Sequence, residues 1–260
     1  MIIPFKNIKH YIFDLDGTIW THTDLLPHAD YVIQKLQKKG KEVHFITNNT
    51  ILSRADIAKK LTRMGIRTTK EHIFSAGYVA SKYFEEKGIT EIYAIGEHGL
   101  VTDLSEAGIK VSENANNILL SIDRSFNYSK LKHATDLINK GAELYCTGIS
   151  KYFRVGTELY PAEAPTIKAV ETLTGKMPIH LGKPSDAFKS RMSEDITLFP
   201  EDVLIIGDDL NEDIVFANKC GFKSALTLTG NTSKEAADDA ISMKKPGAVI
   251  RDLKEITTFY

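Results

Sequence analysis

Short apolar runs recur along this chain of 260 residues, and several stop abruptly at an acid or an amide. Residues 11–13 (Tyr-Ile-Phe) meet Asp14, residues 43–46 meet Thr47-Asn48-Asn49, and residues 203–206 meet Gly207-Asp208-Asp209. Runs with little polar alternation suit strands buried on both faces, the habit of parallel sheets covered by helices. Between them lie stretches with helical spacing, such as Val32, Ile33 and Leu36 within 31–39. Further strands are expected at 92–95, 118–122, 143–146, 179–181 and 224–228. Helices are expected at 53–64 with Ser53 as N-cap, 78–87, 128–140, 186–194 and 213–219. Gly40, Gly65, Gly88 and Gly141 stand where helices should stop. The segments 36–49 and 137–150 share a helix, Lys-Gly, strand, Thr order, which reads as two similar units. The alternation predicts an α/β protein with a parallel sheet.

Composition narrows the classes. Lys and Arg number 33 against 34 Asp and Glu, so there is no global basic field and nucleic acid is not an expected partner. No apolar run exceeds five residues, whereas a membrane-spanning helix needs about 20. No membrane association is expected, and no signal-peptide stretch opens the chain. The two cysteines, Cys146 and Cys220, form no CxxC or zinc spacing, and a cytoplasmic setting is the simplest expectation.

Four constellations carry chemistry. In Asp14-Leu15-Asp16-Gly17-Thr18, two carboxylates lie two residues apart at a strand end, where extended backbone turns both to one side. Ligands of open α/β sheets bind at that carboxyl end. Like charges so close need a cation or a shared proton. The bland reading is an Asp-Gly hairpin turn, but the following segment offers no clean partner strand. Thr47-Asn48-Asn49 presents a hydroxyl and two amides that suit phosphate oxygens, and is equally a polar turn. Gly182-Lys183-Pro184-Ser185 is not a P-loop, because Met177 stands where GxxxxGK needs glycine. A lone lysine is usually solvated; fixed after a strand, it can be a point charge for phosphate. The stretch 208–213 suggests a hard divalent cation. An EF-hand starting at Asp209 fails, since Ile214 replaces the glycine and Cys220 the final glutamate. An acidic helix start explains Asp213 but not Asp208. Trp20 follows the aspartate pair and reads as core.

Together and in this order, the motifs resemble the haloacid dehalogenase-like (HAD) superfamily. The resemblance is closer to its NagD / p-nitrophenyl phosphatase-like subgroup, through "ITNN" at 46–49, "IDRSFNYSKL" at 122–131, "LGKPS" at 181–185 and "LTGNTSKE" at 228–235. It implies a Rossmann-like core, 1–89 and 179–260, with an α/β cap domain inserted at 90–178. The 136 residues from Thr47 to Lys183 leave room for such a cap. It implies a Mg²⁺-dependent phosphatase acting on a small phosphorylated metabolite. Asp14 would be the nucleophile, forming an aspartyl-phosphate, and Asp16 the acid and base. Asp14, the Asp16 backbone carbonyl and Asp208 would bind Mg²⁺. Thr47, Asn48 and Lys183 would hold the phosphate, Asp213 and Asp209 would orient Lys183 or metal-bound water, and cap closure would exclude bulk water. Asp16 favours phosphatase or phosphomutase, and the 29 residues between Thr18 and Asn48 leave no room for the early helical cap of phosphomutases. Phosphotransfer to an alcohol and silent ligand binding are the alternative functions. Cap-mediated homodimers occur among relatives.

Two departures fall in or beside the expected cap. Relatives commonly carry Asn-x-Asp where this chain has Gly148-Ile149-Ser150, and Pro-Gly-x-Gly where it has Pro161-Ala162-Glu163-Ala164. They leave the chemistry intact and bear on substrate. Glu163 in particular is expected to disfavour an anionic leaving group.

Overall fold

The computed structural model describes residues 7–21, 23–155 and 158–258. It divides into two compact units, one of Met1–Thr47, Ala58–Phe74 and Met192–Tyr260, the other of Asn48–Ile57 and Ser75–Arg191.

The first unit holds a six-stranded sheet in the order Ala248–Ile250, Lys223–Thr227, Val203–Gly207, His10–Asp14, Glu42–Thr47, Ile73–Ser75. The strand His10–Asp14 pairs in parallel with Val203–Gly207 on one side and Glu42–Thr47 on the other. Its apolar residues are the reason: Ile12 and Phe13 are fully buried, as are Phe45, Ile205 and Ile206 beside them. Each such side chain contributes about 1.5–3 kcal/mol by leaving water. Register then sets the site. Asp14 lies opposite Ile46 and Phe13 opposite Ile206, so Asp14, Thr47 and Gly207 end three adjacent strands on one side of the sheet.

The hairpin reading of Asp16-Gly17 fails, because among the described residues the first strand pairs only in parallel. After Asp14 the chain instead coils on itself: the amides of Thr18, Ile19 and Trp20 all donate to the Leu15 carbonyl. A two-residue antiparallel pair follows, Trp20–Thr21 with Asp24–Leu25.

The second unit holds a five-stranded sheet in the order Ile179–His180, Glu143–Cys146, Asn117–Leu120, Glu91–Ile95, Lys110–Val111, with all these pairs parallel. Tyr152–Val155 and Glu158–Pro161 form a separate antiparallel hairpin. The helices Tyr128–Asn139 and Glu163–Thr174 pack on the sheet through Ala134, Leu137, Ile138, Ile167 and Val170. The repeated order seen in the sequence is real in space. In each unit a helix, Ala29–Lys38 or Tyr128–Asn139, is followed by a glycine at positive φ, Gly40 or Gly141, and then by a strand.

The expected helices at 53–64, 78–87 and 186–194 are found as Arg54–Arg63, Ala76–Glu86 and Asp186–Asp195. Ser53 caps the first as expected, its Oγ accepting from the Asp56 amide at 3.2 Å. The one expected at 213–219 is instead a π-helical turn, Leu210–Ile214, running into Val215–Cys220. The helix His98–Glu106 was not anticipated, because only Leu100 and Leu104 mark its apolar side. Both cysteines are free thiols. Among the described residues, no helix is long and apolar enough to cross a membrane.

Three histidine rings lie side by side in the first unit. The His44 ring lies 5.9 Å from that of His10 and 5.5 Å from that of His72. Both nitrogens of His44 are buried without a hydrogen-bond partner. Burial, with smaller contributions from His72 and His10, pushes its pKa down to about 4. The folded value lies below the free value, so the fold requires neutral His44. Its contribution is intact above pH 6.5 and is lost as pH falls toward 4, because the unfolded chain takes up the proton first. The full loss is on the order of 3 kcal/mol. His44→Phe should therefore flatten the acid side of the Tm–pH curve between pH 6.5 and 4. Parallel curves for the two proteins would show that His44 does not govern it.

Candidate active site

Asp14 ends its strand nearly buried, and Asp208 and Asp213 are buried beside it. One carboxylate oxygen from each lies within 4.8 Å of the others. The sequence brings Asp208 here by ending the strand Val203–Gly207 one residue earlier. Glycine makes the room. Gly17 has φ +86°, and a Cβ there would stand 2.5 Å from Asp208 Oδ2. A Cβ on Gly230 would collide with the same oxygen. The loop that carries Gly230 also holds the carboxylate: the Asn231 amide donates to Asp208 Oδ2 at 2.6 Å. Thr229 Oγ1 donates to the Gly17 carbonyl at 2.7 Å, tying this loop to the aspartate loop.

Asp213 braces the backbone. Its Oδ2 accepts from the amides of Asp208 and Asp209, both at 3.1 Å. Side-chain bulk at Gly207 would strike its carboxylate. The acidic helix start is Asp209, whose Oδ1 accepts from Asn211 and Glu212 at 2.7 and 3.1 Å. Thus Asp213, read from sequence as the residue a helix dipole could explain, is the buried brace, and Asp209 is the cap.

Asp16 is half-buried and accepts from Trp20 Nε1 at 2.9 Å. Trp20 is buried, in agreement with the core reading, yet it also touches Asp16. Lys60 Nζ sits 3.9 Å from the centre of the indole. Burial lowers the Lys60 pKa, and the nearby Asp16 charge opposes that shift. Thr47 is buried at the end of its strand.

In the second unit, Lys183 is buried and its backbone is clamped by Asn48. Asn48 Oδ1 accepts from the Lys183 amide at 2.7 Å, and Asn48 Nδ2 donates to the Lys183 carbonyl at 3.0 Å. Asn48 was expected to hold phosphate oxygens. Its side-chain amide also bonds the Lys183 backbone at both ends. Gly182 fits only because it lacks a side chain, since a Cβ would overlap the Thr147 carbonyl.

The two departures meet. Glu163 is buried, and a Cβ on Gly148 would stand 2.7 Å from its carboxylate. Burial first, and then the Glu163 charge, push the neighbouring Cys146 thiol up to about 12. Thr147 joins a chain of buried hydroxyls with Ser121, at 2.6 Å, and Thr50.

Sequence reasoning missed Gly230, Asn231, Thr229 and Lys60 as neighbours of the site. The "LTGNTSKE" segment was the available signal for the first three.

A donor set of carboxylate oxygens alone suits a hard cation such as Mg²⁺. Like charges buried this close also call for one. The residues present therefore fit a divalent cation.

Comparison with known proteins gives the family. A haloacid dehalogenase-like hydrolase family model matches residues 11–110, and an HAD-hydrolase-like model matches 180–256. The chain is 28% identical over 252 residues to the 5'-nucleotidase YutF of Bacillus subtilis, covering 96% of this chain and 98% of that protein. It is 29% identical to the acid sugar phosphatase of Staphylococcus haemolyticus, over 88% of this chain and 89% of that one. The crystal structure of a 4-nitrophenylphosphatase from Thermotoga maritima superposes with a TM-score of 0.91 at 27% identity, over 98% of each chain. The chain belongs to the haloacid dehalogenase-like hydrolases, in their NagD / p-nitrophenyl phosphatase-like subgroup.

The Asn48 clamp makes a prediction. Asn48→Ala removes two hydrogen bonds and should lower Tm by about 2–6 °C. It should also cut turnover about tenfold or more, by releasing the Lys183 backbone. A variant that binds phosphate more weakly with Tm unchanged would mean that the amide serves ligand rather than Lys183.

Proposed function

We propose that this phosphoric monoester hydrolase cleaves a small phosphorylated metabolite with Mg²⁺, through an aspartyl-phosphate. The observation that carries the reading is the meeting of Asp14, Asp208 and Asp213, buried and within 4.8 Å, beside a second aspartate two residues from the first. The relatives above are a 5'-nucleotidase, an acid sugar phosphatase and a 4-nitrophenylphosphatase, which supports a small phosphomonoester.

Asp14 attacks phosphorus, the bond to the leaving oxygen breaks, and Asp16 gives that oxygen its proton. Products of this half are the free alcohol, phospho-Asp14 and ionised Asp16. Water then attacks phosphorus and loses its proton to Asp16, and the Asp14–phosphate bond breaks to release inorganic phosphate. Asp14, Asp208 and the Asp16 carbonyl would hold Mg²⁺, which when bound offsets the repulsion between carboxylate and phosphate. Asp213 keeps the Asp208 backbone in place through its two amide bonds. Thr47, the Asn48 amide N–H and Lys183 hold and neutralise the phosphate, with Asn48 also fixing Lys183. The cap is taken as 90–178, inserted in a core of 1–89 and 179–260.

The test is phosphate release from a panel of alkyl, sugar, nucleoside and aryl phosphomonoesters, with Mg²⁺ and with EDTA. Wild type should release phosphate only with the metal. Asp14→Asn should lose at least about a thousandfold while keeping its circular dichroism and Tm. Turnover by a clean Asp14→Asn preparation would sink the nucleophile assignment, and EDTA-resistant turnover the metal.

A further inference from the structure

We infer that Trp20 is a positioning residue for hydrolysis: its indole N–H holds one oxygen of Asp16 and so fixes the orientation in which the carboxyl group meets the leaving group. The inference rests on the reading of Asp16 as the general acid.

The contact is Trp20 Nε1 to Asp16 Oδ1, 2.9 Å. An indole N–H only donates, so it can bond only to a lone pair. Oδ1 is thereby committed as an acceptor. The bond holds that oxygen, and with it the whole carboxyl group, in one orientation. Without the indole, a half-buried carboxyl group could present either oxygen, and only one orientation would be productive.

The indole is itself fixed from three sides. Its own backbone amide donates to the Leu15 carbonyl at 3.1 Å. Its carbonyl accepts from the Gly17 amide at 2.8 Å, which closes the loop that carries Asp16. Lys60 Nζ covers the ring face at 3.9 Å, a cation over the electron-rich π system. Only 3% of Trp20 is exposed, so the ring cannot swing aside without vacating the core. Core burial thus does two things at once: it stabilises the fold and it aims a hydrogen bond.

The proton matters for some substrates and not for others. In the first half-reaction the P–O bond breaks and Asp16 delivers its proton to the leaving oxygen. An alkoxide needs that proton, whereas p-nitrophenolate leaves without it. Trp20→Phe keeps the ring and removes only the N–H. Its kcat should fall at least about tenfold more on the best alkyl phosphomonoester of the panel than on p-nitrophenyl phosphate, with KM on both moving little. An unchanged alkyl-to-aryl ratio, whether both rates hold or both fall together, would overturn the inference. Asp16→Asn separates this failure from that of the underlying reading. If Asp16→Asn keeps full alkyl turnover, Asp16 is not the acid; if it loses alkyl turnover while Trp20→Phe keeps the wild-type ratio, only the role of Trp20 falls.

A second measurement does not depend on the Trp20 variant folding. Trp20 is the sole tryptophan, so indole emission reports this one contact. Asp16→Ala, made in the otherwise intact protein, should shift that emission relative to wild type. Identical spectra from the two folded proteins would refute the bond on which the inference stands.

Discussion

Three carboxylates buried within 4.8 Å of one another are the constraint around which this structure is arranged. At that separation each like-charged pair costs at least about 3 kcal/mol, even at an effective dielectric near 20. A hydrogen bond to a charged group returns about 1.5–3 kcal/mol. The fold therefore surrounds the acids with backbone donors: one amide on Asp208 and two on Asp213. Such donors offset part of the repulsion and leave reason for a cation. The same demand explains the glycines at 17, 207 and 230, since any side chain there would occupy the space of a carboxylate.

Parallel pairing makes this arrangement possible. Because the strands of Asp14, Thr47 and Gly207 are adjacent and run the same way, their ends fall together. The apolar interior that aligns them also isolates them from water, which raises the cost of every unpaired charge and the value of every aimed donor. Stability and chemistry thus draw on one source. Trp20 shows the link at a single residue, buried as core and bonded to Asp16.

Much of this was legible along the chain. Apolar runs ending in acids locate the site, because burial on both faces leaves a strand few ways to present charge except at its end. The short hairpin at Trp20–Thr21 and the helix His98–Glu106 were not legible, since neither carries enough apolar spacing to stand out. Contacts made over long separations were also hidden. Nothing local to Asp208 announces that Gly230 and Asn231, more than twenty residues on, will form its cradle. Lys60 sits beside Lys59, which is exposed, and only the packing of the helix against Trp20 distinguishes them. The bond from Asn48 to the Lys183 backbone, 135 residues away, was hidden for the same reason.

The pair of departures follows the same logic of space and charge. Taken singly, Gly148 removes a side chain and Glu163 adds an acid where a glycine turn was expected. In the structure they are one change: the room left by the missing Cβ at position 148 is where the Glu163 carboxylate lies. The acid is turned inward against its own loop, beside the Cys146 thiol whose ionisation it further disfavours. Backbone bonds from Ala162 to Lys151 and from Ala164 to Ser150 flank it and hold the two segments together. Burial holds this carboxylate against Gly148, so the missing Cβ and the added acid constrain residues 147–150 together.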